Sequence, residues 1–247
     1  MSEAGGYDAQ ALHGFAHDSI AQGSKSFALA SQLFDRITRE RVWLLYAWCR
    51  AADDLVDGQD HGGPMGVGHD AQAALARIRA LTDRAFAGEP TGEAAFDALG
   101  LLLTEIVIPR AVIDDIIAGF ELDADDWRPR SEADLLRYAY HVAGAVGVAM
   151  AHVMGIDPAD ETTLDRASDL GIAFQLANIA RDIAEDAAAD RCYLPDEWLA
   201  ELDIPPGQHM HPAFRSRLSV MAKWLAEMAE EYEASARWGA RKLRPRS

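Results

Sequence analysis

Gln175-Leu-Ala-Asn178-Ile-Ala-Arg181-Asp182-Ile-Ala-Glu185-Asp186 is the stretch on which the reading of this chain turns. At roughly 100° per helical residue, Gln175, Asn178, Asp182 and Asp186 share one narrow stripe, while Leu176, Ile179 and Ile183 turn to other faces. The stripe is acidic and rich in oxygen. Two carboxylates one helical turn apart repel each other unless a positive charge sits between them. Ligands that are all oxygen suit a hard cation such as Mg²⁺, with Mn²⁺ as the alternative, better than zinc. Mg²⁺ commonly takes one or two carboxylates and fills its other positions with waters and substrate phosphates.

A second stripe lies far earlier, in Tyr46-Ala-Trp-Cys-Arg50-Ala-Ala-Asp53-Asp54-Leu-Val-Asp57, where Tyr46, Arg50, Asp53 and Asp57 again share a helical face. Taken alone, Asp-x-x-x-Asp is most simply a solvated helix face. Here Asp53, Asp54 and Asp57 come just before Gly58, an expected helix end. Anions near a helix C-terminus cost about 0.3 to 1 kcal/mol each, so a helix shaped for stability alone would carry Lys or Arg there.

The chain has 247 residues, 49% of them hydrophobic, enough to bury a substantial core in one domain. A formal charge of −17 argues against nucleic acid as a partner, since a phosphate-backbone binder needs a basic face. Cys49 and Cys192 form no CxxC spacing, and the first residues lack the basic-then-apolar order of a signal peptide. A reduced, cytoplasmic setting is therefore expected. The most apolar run, from Ala139 to Ile156, is interrupted by His141 and His152 and reads as a buried helix rather than a membrane span.

Residues 1–10 read as poorly ordered. Leu12, Phe15, Ala16 and Ile20 then recur at helical spacing until Gly23 breaks the helix. Ser24, Lys25 and Ser26 gather donors where a new helix begins. Either they meet an anion, or Ser24 is an ordinary N-cap beside an exposed lysine. A helix is expected from about Thr38 to Asp57, a Gly-rich loop over Asp60 to Gly68, and an amphipathic helix over Ala71 to Phe86. Thr91 is expected to cap the next helix, and Pro109 to begin the one after it. Asp123, Asp125 and Asp126 read as a solvated turn. Ser131-x-x-Asp134 and Thr162-x-x-Asp165 read as capping boxes. The first opens a helix with a smooth face at Gly144 and Gly147, made either for close helix packing or for a long apolar ligand. A last helix is expected from about Ala213 to Ala240. The basic end at Arg237, Arg241, Lys242, Arg244 and Arg246 reads as a solvated tail, although it could touch anionic lipid. No stretch alternates with period two, so the fold class is all-α.

Five blocks in order now resemble one family. They are Gly23-Ser-Lys-Ser-Phe27 with Leu33-Phe34-Asp35; Leu45-Tyr-Ala-Trp-Cys-Arg50 running into Asp53-Asp-Leu-Val-Asp57; Tyr138 with Val142-Ala-Gly-Ala-Val-Gly147; Phe174 through Asp186; and Arg191-Cys-Tyr193-Leu-Pro195. Together they resemble the squalene/phytoene synthase family, most of all its bacterial phytoene-forming branch. The resemblance implies an isoprenoid-synthase helical bundle with two acidic helices facing each other across a central cavity. It implies head-to-head condensation of two geranylgeranyl diphosphates to phytoene through a cyclopropylcarbinyl diphosphate. Asp53, Asp57, Asn178, Asp182 and Asp186 are then the Mg²⁺ ligands. Arg50 acts with Asp53, Asp57, Asp182 and Asp186 in catalysis. Ser24, Lys25, Ser26, Phe27, Tyr46, Arg50, Tyr138, Val142, Gln175, Arg181, Arg191 and Tyr193 contact substrate. Phe27, Tyr46, Tyr138, Val142 and Phe174 are candidates for the apolar lining, each with core packing as the plainer alternative.

No nucleotide-binding motif is present, so no nucleotide cofactor is expected. Family members continue through further C-terminal helices, which makes this chain short by comparison. Outside the substrate, the expected partner is a peripheral contact with the inner face of the membrane. Farnesyl diphosphate as substrate, giving squalene or presqualene diphosphate, and an inactive helical scaffold are the competing readings. A di-iron carboxylate bundle would need Glu-x-x-His, which does not occur.

Overall fold

Gly23 separates two helices, as expected. In the computed structural model, which describes residues 7–58, 70–124 and 127–240, α1 spans Ala9–Gly23 and α2 spans Lys25–Ser31. Asp8 caps α1 by accepting from the Ala11 N–H at 2.7 Å. A Cβ at Gly23 would collide with the Tyr46 hydroxyl, so glycine there admits the phenol against the helix end. Next come α3 (Arg36–Asp57), capped by Asp35, α4 (Ala71–Phe86) and α5 (Ala94–Glu105). Gly58 ends α3 in the left-handed region at φ 61° and returns its N–H to the Asp54 carbonyl.

These helices, with Met150–Ala159, belong to the first of two compact units. Within it α1 packs on α3 and α5, and α4 on α3 and α5. The apolar rows meet there: Ile20, Leu44, Leu45, Trp48, Ile78, Phe96 and Leu99 are almost wholly buried. Thr91 does not cap α5. It lies before the helix, where its N–H and hydroxyl donate to Asp97 at 2.6 and 2.7 Å, and Glu93 takes the N-cap position without a side-chain bond.

The second unit comprises Ala111–Ala149 and Asp160–Lys242. Helix α6 (Arg110–Ala124) leads into it, followed by α7 (Glu132–Ala139), a π-helical turn over Tyr140–Gly144, α8 (Ala145–Val153), α9 (Glu161–Ala188), α10 (Asp196–Glu201) and α11 (Arg215–Ala240). Ser131 caps α7 by accepting from the Asp134 N–H at 3.2 Å, while Asp134 reaches back to the Arg130 N–H at 3.1 Å. The single apolar helix expected here is instead broken by the π turn. The cap of α9 is Asp160, not Thr162. Its carboxylate accepts from the Thr163 N–H at 3.2 Å and hydroxyl at 2.7 Å, so the helix starts ahead of Thr162.

Helix α11 lies along α9, and the core between them and α7 collects Leu135, Ile172, Leu176, Ile179, Trp198, Met221 and Leu225. The glycine face serves close packing. A Cβ at Gly147 would enter the Ala167 carbonyl, and one at Gly171 the Ala143 carbonyl. Among the described residues every regular element is helical. None of these helices is long and apolar enough to cross a membrane. Of residues 1–10, expected to be poorly ordered, Asp8 forms the cap and Ala9 and Gln10 the first turn of α1, whereas residues 1–6, the Gly-rich loop, Asp125, Asp126 and the basic tail beyond Ala240 lie outside the described residues.

Candidate active site

The α9 stripe is half-buried along its length. Gln175, Asn178, Asp182 and Asp186 are all of intermediate exposure, whereas Phe174, Ala177, Arg181 and Glu185 are exposed. A purely solvated face would leave the acids fully open. Burial, then the charge of Asp182, pushes the Asp186 carboxyl above the usual carboxylate range, with Arg191 pulling the other way. Asp182 moves oppositely, because Arg181 clamps it bidentately, Nε to Oδ1 and Nη2 to Oδ2 at 2.6 Å each. Arg181 is thus engaged by its own neighbour. Arg191 returns beside the stripe because the chain turns tightly after α9. Asp190 adopts φ 58°, and the Arg191 N–H donates to the Asp186 carbonyl at 2.8 Å.

In the first unit Tyr46, Arg50, Asp53 and Asp57 are likewise of intermediate exposure on α3. Arg50 lies 3.4 Å from Asp53 and 2.5 Å from Asp54. Burial alone would lower its pKa, but the hydrogen bond and charge of Asp54 outweigh burial and hold the guanidinium above its ordinary value. Asp54 is the member that the stripe reading missed, although its i, i+4 spacing from Arg50 was visible. Tyr46 faces Phe27 with ring centroids 6.3 Å apart. Ser24 caps α2, its Oγ accepting from the Phe27 N–H at 3.3 Å, and Lys25 and Ser26 are exposed beside it. The first unit therefore gathers the Ser24 to Phe27 turn and Tyr46 in one neighbourhood.

Three aromatic residues of the second unit form a stack. Tyr138 lies between Trp127 and Tyr193, with centroids 5.3 and 4.9 Å away, and its hydroxyl donates to Asp123 at 2.8 Å. Only 3% of Tyr138 is exposed, and burial followed by the Asp123 charge pushes its phenol far upward, so it is a neutral donor. Tyr138 is thus buried with its hydroxyl committed to Asp123. Asp123, in the last turn of α6, is the acceptor rather than part of a solvated turn. Val142 packs half-buried against the core of the second unit, and Phe174 is 60% exposed.

Among the described residues no three His, Cys, Asp or Glu side chains converge as a ready-made metal site. Cys49 and Cys192 are free thiols. A cleft of ≈ 460 Å³ in the second unit is lined by Tyr140, Thr162, Asp165, Arg166, Ser168 and Asp169, away from the stripe residues named above.

Residues 20–247 match the Squalene/phytoene synthase family, and the chain belongs to it. It is 46% identical over 234 residues to a phytoene synthase of Pseudescherichia vulneris, covering 94% of this chain and 75% of that protein. To a 15-cis-phytoene synthase of Pantoea ananas it is 43% identical over 232 residues, covering 93% and 74%. The crystal structure of a dehydrosqualene synthase in complex with ligand superposes with a TM-score of 0.83 at 28% identity, over 95% of this chain and 79% of that one. The fold is that of the isoprenoid synthases, and the chain is a prenyl-condensing transferase of the phytoene synthase type.

Proposed function

We propose that the chain joins two geranylgeranyl diphosphates head to head to phytoene, through a cyclopropylcarbinyl diphosphate, as one prenyl-synthase domain in carotenoid biosynthesis. The observation that carries this reading is the half-buried oxygen stripe of α9, with Asp186 held in the proton-retaining direction, in a chain whose relatives include phytoene synthases. The donors fit a hard divalent ion. Mg²⁺ needs only one or two carboxylates besides waters and phosphate oxygens, so the lack of a convergent triad is no obstacle. A cation would also relieve both the burial of Asp186 and its repulsion from Asp182.

In this reading Asp53, Asp57, Asn178, Asp182 and Asp186 would hold Mg²⁺, with Mn²⁺ as a substitute. When bound, the ion supplies Lewis-acid neutralisation of the leaving diphosphate. Arg50, Lys25, Arg181 and Arg191 hold diphosphate oxygens, assisted by Ser24, Ser26 and Gln175. Arg50 and Arg181 already lie against acids, so they share or exchange those partners as the anion arrives. Phe27, Tyr46, Val142 and Tyr193 keep water from the allylic carbon, where an electron-rich ring also steadies developing positive charge. The central cavity expected from the family belongs to this proposal. So does a cytoplasmic setting with peripheral contact at the membrane for release of the hydrocarbon product.

Asp57→Asn and Asp182→Asn test the reading. Each should lower Mg²⁺-dependent turnover of geranylgeranyl diphosphate by roughly 10²-fold or more, while the folded chain survives. Unchanged turnover in both would remove it. The structural likeness to a dehydrosqualene synthase supports farnesyl diphosphate as the second substrate reading. Competition between the two diphosphates, followed by product analysis, decides between them.

A further inference from the structure

Arg191 reaches the α9 stripe through a turn that its own residues favour poorly. The Arg191 N–H donates to the Asp186 carbonyl at 2.8 Å and the Asp190 N–H to the Ala187 carbonyl at 3.2 Å, the pair of bonds that closes a helix on a left-handed residue. Glycine is the usual occupant of that position. Here it is Asp190, at φ 58°, where a side chain costs free energy. From Asp190 to Pro195 the chain belongs to no helix, so helical geometry does not fix the direction in which Arg191 leaves the turn.

The segment just ahead of α7 grips this one. Arg128 Nη2 donates to the Asp190 carbonyl at 2.9 Å and lies 3.5 Å from the Asp190 carboxylate. Further along, the Asp196 and Glu197 N–H groups donate to the Pro129 and Arg130 carbonyls at 3.1 Å each, and the Glu197 carboxylate accepts from the Glu132 N–H at 2.6 Å. Arg128 meets the turn itself, and with Asp190, Arg191 and Tyr193 it lines one small cavity. Arg128 and Asp190 are both exposed, so the ion pair by itself contributes little. The bond to the carbonyl differs in kind, because it holds a backbone atom of the strained residue and so the path of the chain.

We propose that Arg128 is a positioning residue for Arg191: by donating to the Asp190 carbonyl it fixes the left-handed turn after α9 and so sets the Arg191 guanidinium beside Asp186, ready for a diphosphate oxygen. The proposal rests on Arg191 being a diphosphate contact, as read above.

The test is a double-mutant cycle on the full chain, read as affinity for inorganic diphosphate in excess Mg²⁺ by calorimetric titration of the wild type, Arg191→Ala, Arg128→Ala and the double variant. Melting curves establish that each variant is folded, and Arg128→Gln takes the place of Arg128→Ala should the latter fail to fold. Arg191→Ala should weaken binding by about tenfold or more, and Arg128→Ala by about three- to tenfold. The double variant should lie within about twofold of Arg191→Ala, since a residue that acts through Arg191 has nothing left to place once that side chain is gone. A residue that drew the anion by its own charge would multiply the two losses, and one that merely stabilised the fold would lower the melting temperature and leave the affinity alone. Multiplied losses, or an Arg128→Ala that binds as the wild type does, overturn the role of Arg128 while leaving Arg191 a diphosphate contact. An Arg191→Ala that binds as the wild type does overturns the reading of Arg191, and this proposal with it.

Discussion

At Asp186, burial and the charge of Asp182 act in the same direction, and the consequence can be measured without substrate. A carboxyl whose folded pKa is raised binds its proton more tightly in the folded chain than in the unfolded one. It therefore favours folding below the ordinary carboxylate pKa, and that contribution is lost as pH rises through the folded value. Asp186→Asn should accordingly raise the melting temperature of the metal-free protein at pH 7, and the gain should shrink toward pH 4. In Mg²⁺ and diphosphate the order should reverse, because the variant gives up a ligand. Melting curves in chelator and in metal at the two pH values check both signs. The spacing of Asp182 and Asp186 made this pair legible in the sequence. The clamp of Arg181 on Asp182 was not, since adjacent residues on a helix point to different faces and only the long guanidinium bridges them.

Helix ends and helix contacts divide the legible from the illegible at the next scale. The span Ala71–Phe86 and the stop at Gly58 follow from periodicity and from a left-handed glycine, both local in origin. The start of α9 was misread because Asp160 and Thr162 are both good caps, and a sequence does not say which one the preceding turn leaves outside the helix. Asp160→Ala should destabilise by about 1 kcal/mol and Thr162→Ala by much less, as read by denaturant midpoints. The glycine face of α8 was ambiguous for another reason: its partner carbonyls come from a distant helix. Gly147→Ala would drive a methyl into the Ala167 carbonyl and should cost about 1 to 3 kcal/mol. Gly14→Ala, with nothing within 4 Å of the added methyl, should instead stabilise by about 0.4 to 1 kcal/mol. Thermal melts of the two variants should shift in opposite directions. The burial of Tyr138 was illegible for the same reason, because the stack that buries it joins α7 to residues on either side of it in sequence.

For the whole molecule, all-α architecture and family were readable because five blocks keep their order along the chain, and both the family match over residues 20–247 and the TM-score of 0.83 to a dehydrosqualene synthase structure agree. Two half-buried acidic stripes, one in each compact unit, are the groups the proposed chemistry would use. The net charge of −17 disfavours the approach of an anion such as diphosphate, an effect that a bound cation would offset. In the proposed reading, substrate length would follow from the depth of an apolar pocket, a property of side chains far apart in sequence and so not legible in it. The most direct measurement is a crystal structure with Mg²⁺ and a non-hydrolysable geranylgeranyl thiodiphosphate. Every ion at the diphosphate should carry a carboxylate oxygen from Asp53, Asp57, Asp182 or Asp186 together with a phosphate oxygen. Ions and diphosphate bound elsewhere, with these four carboxylates bare, would contradict the account.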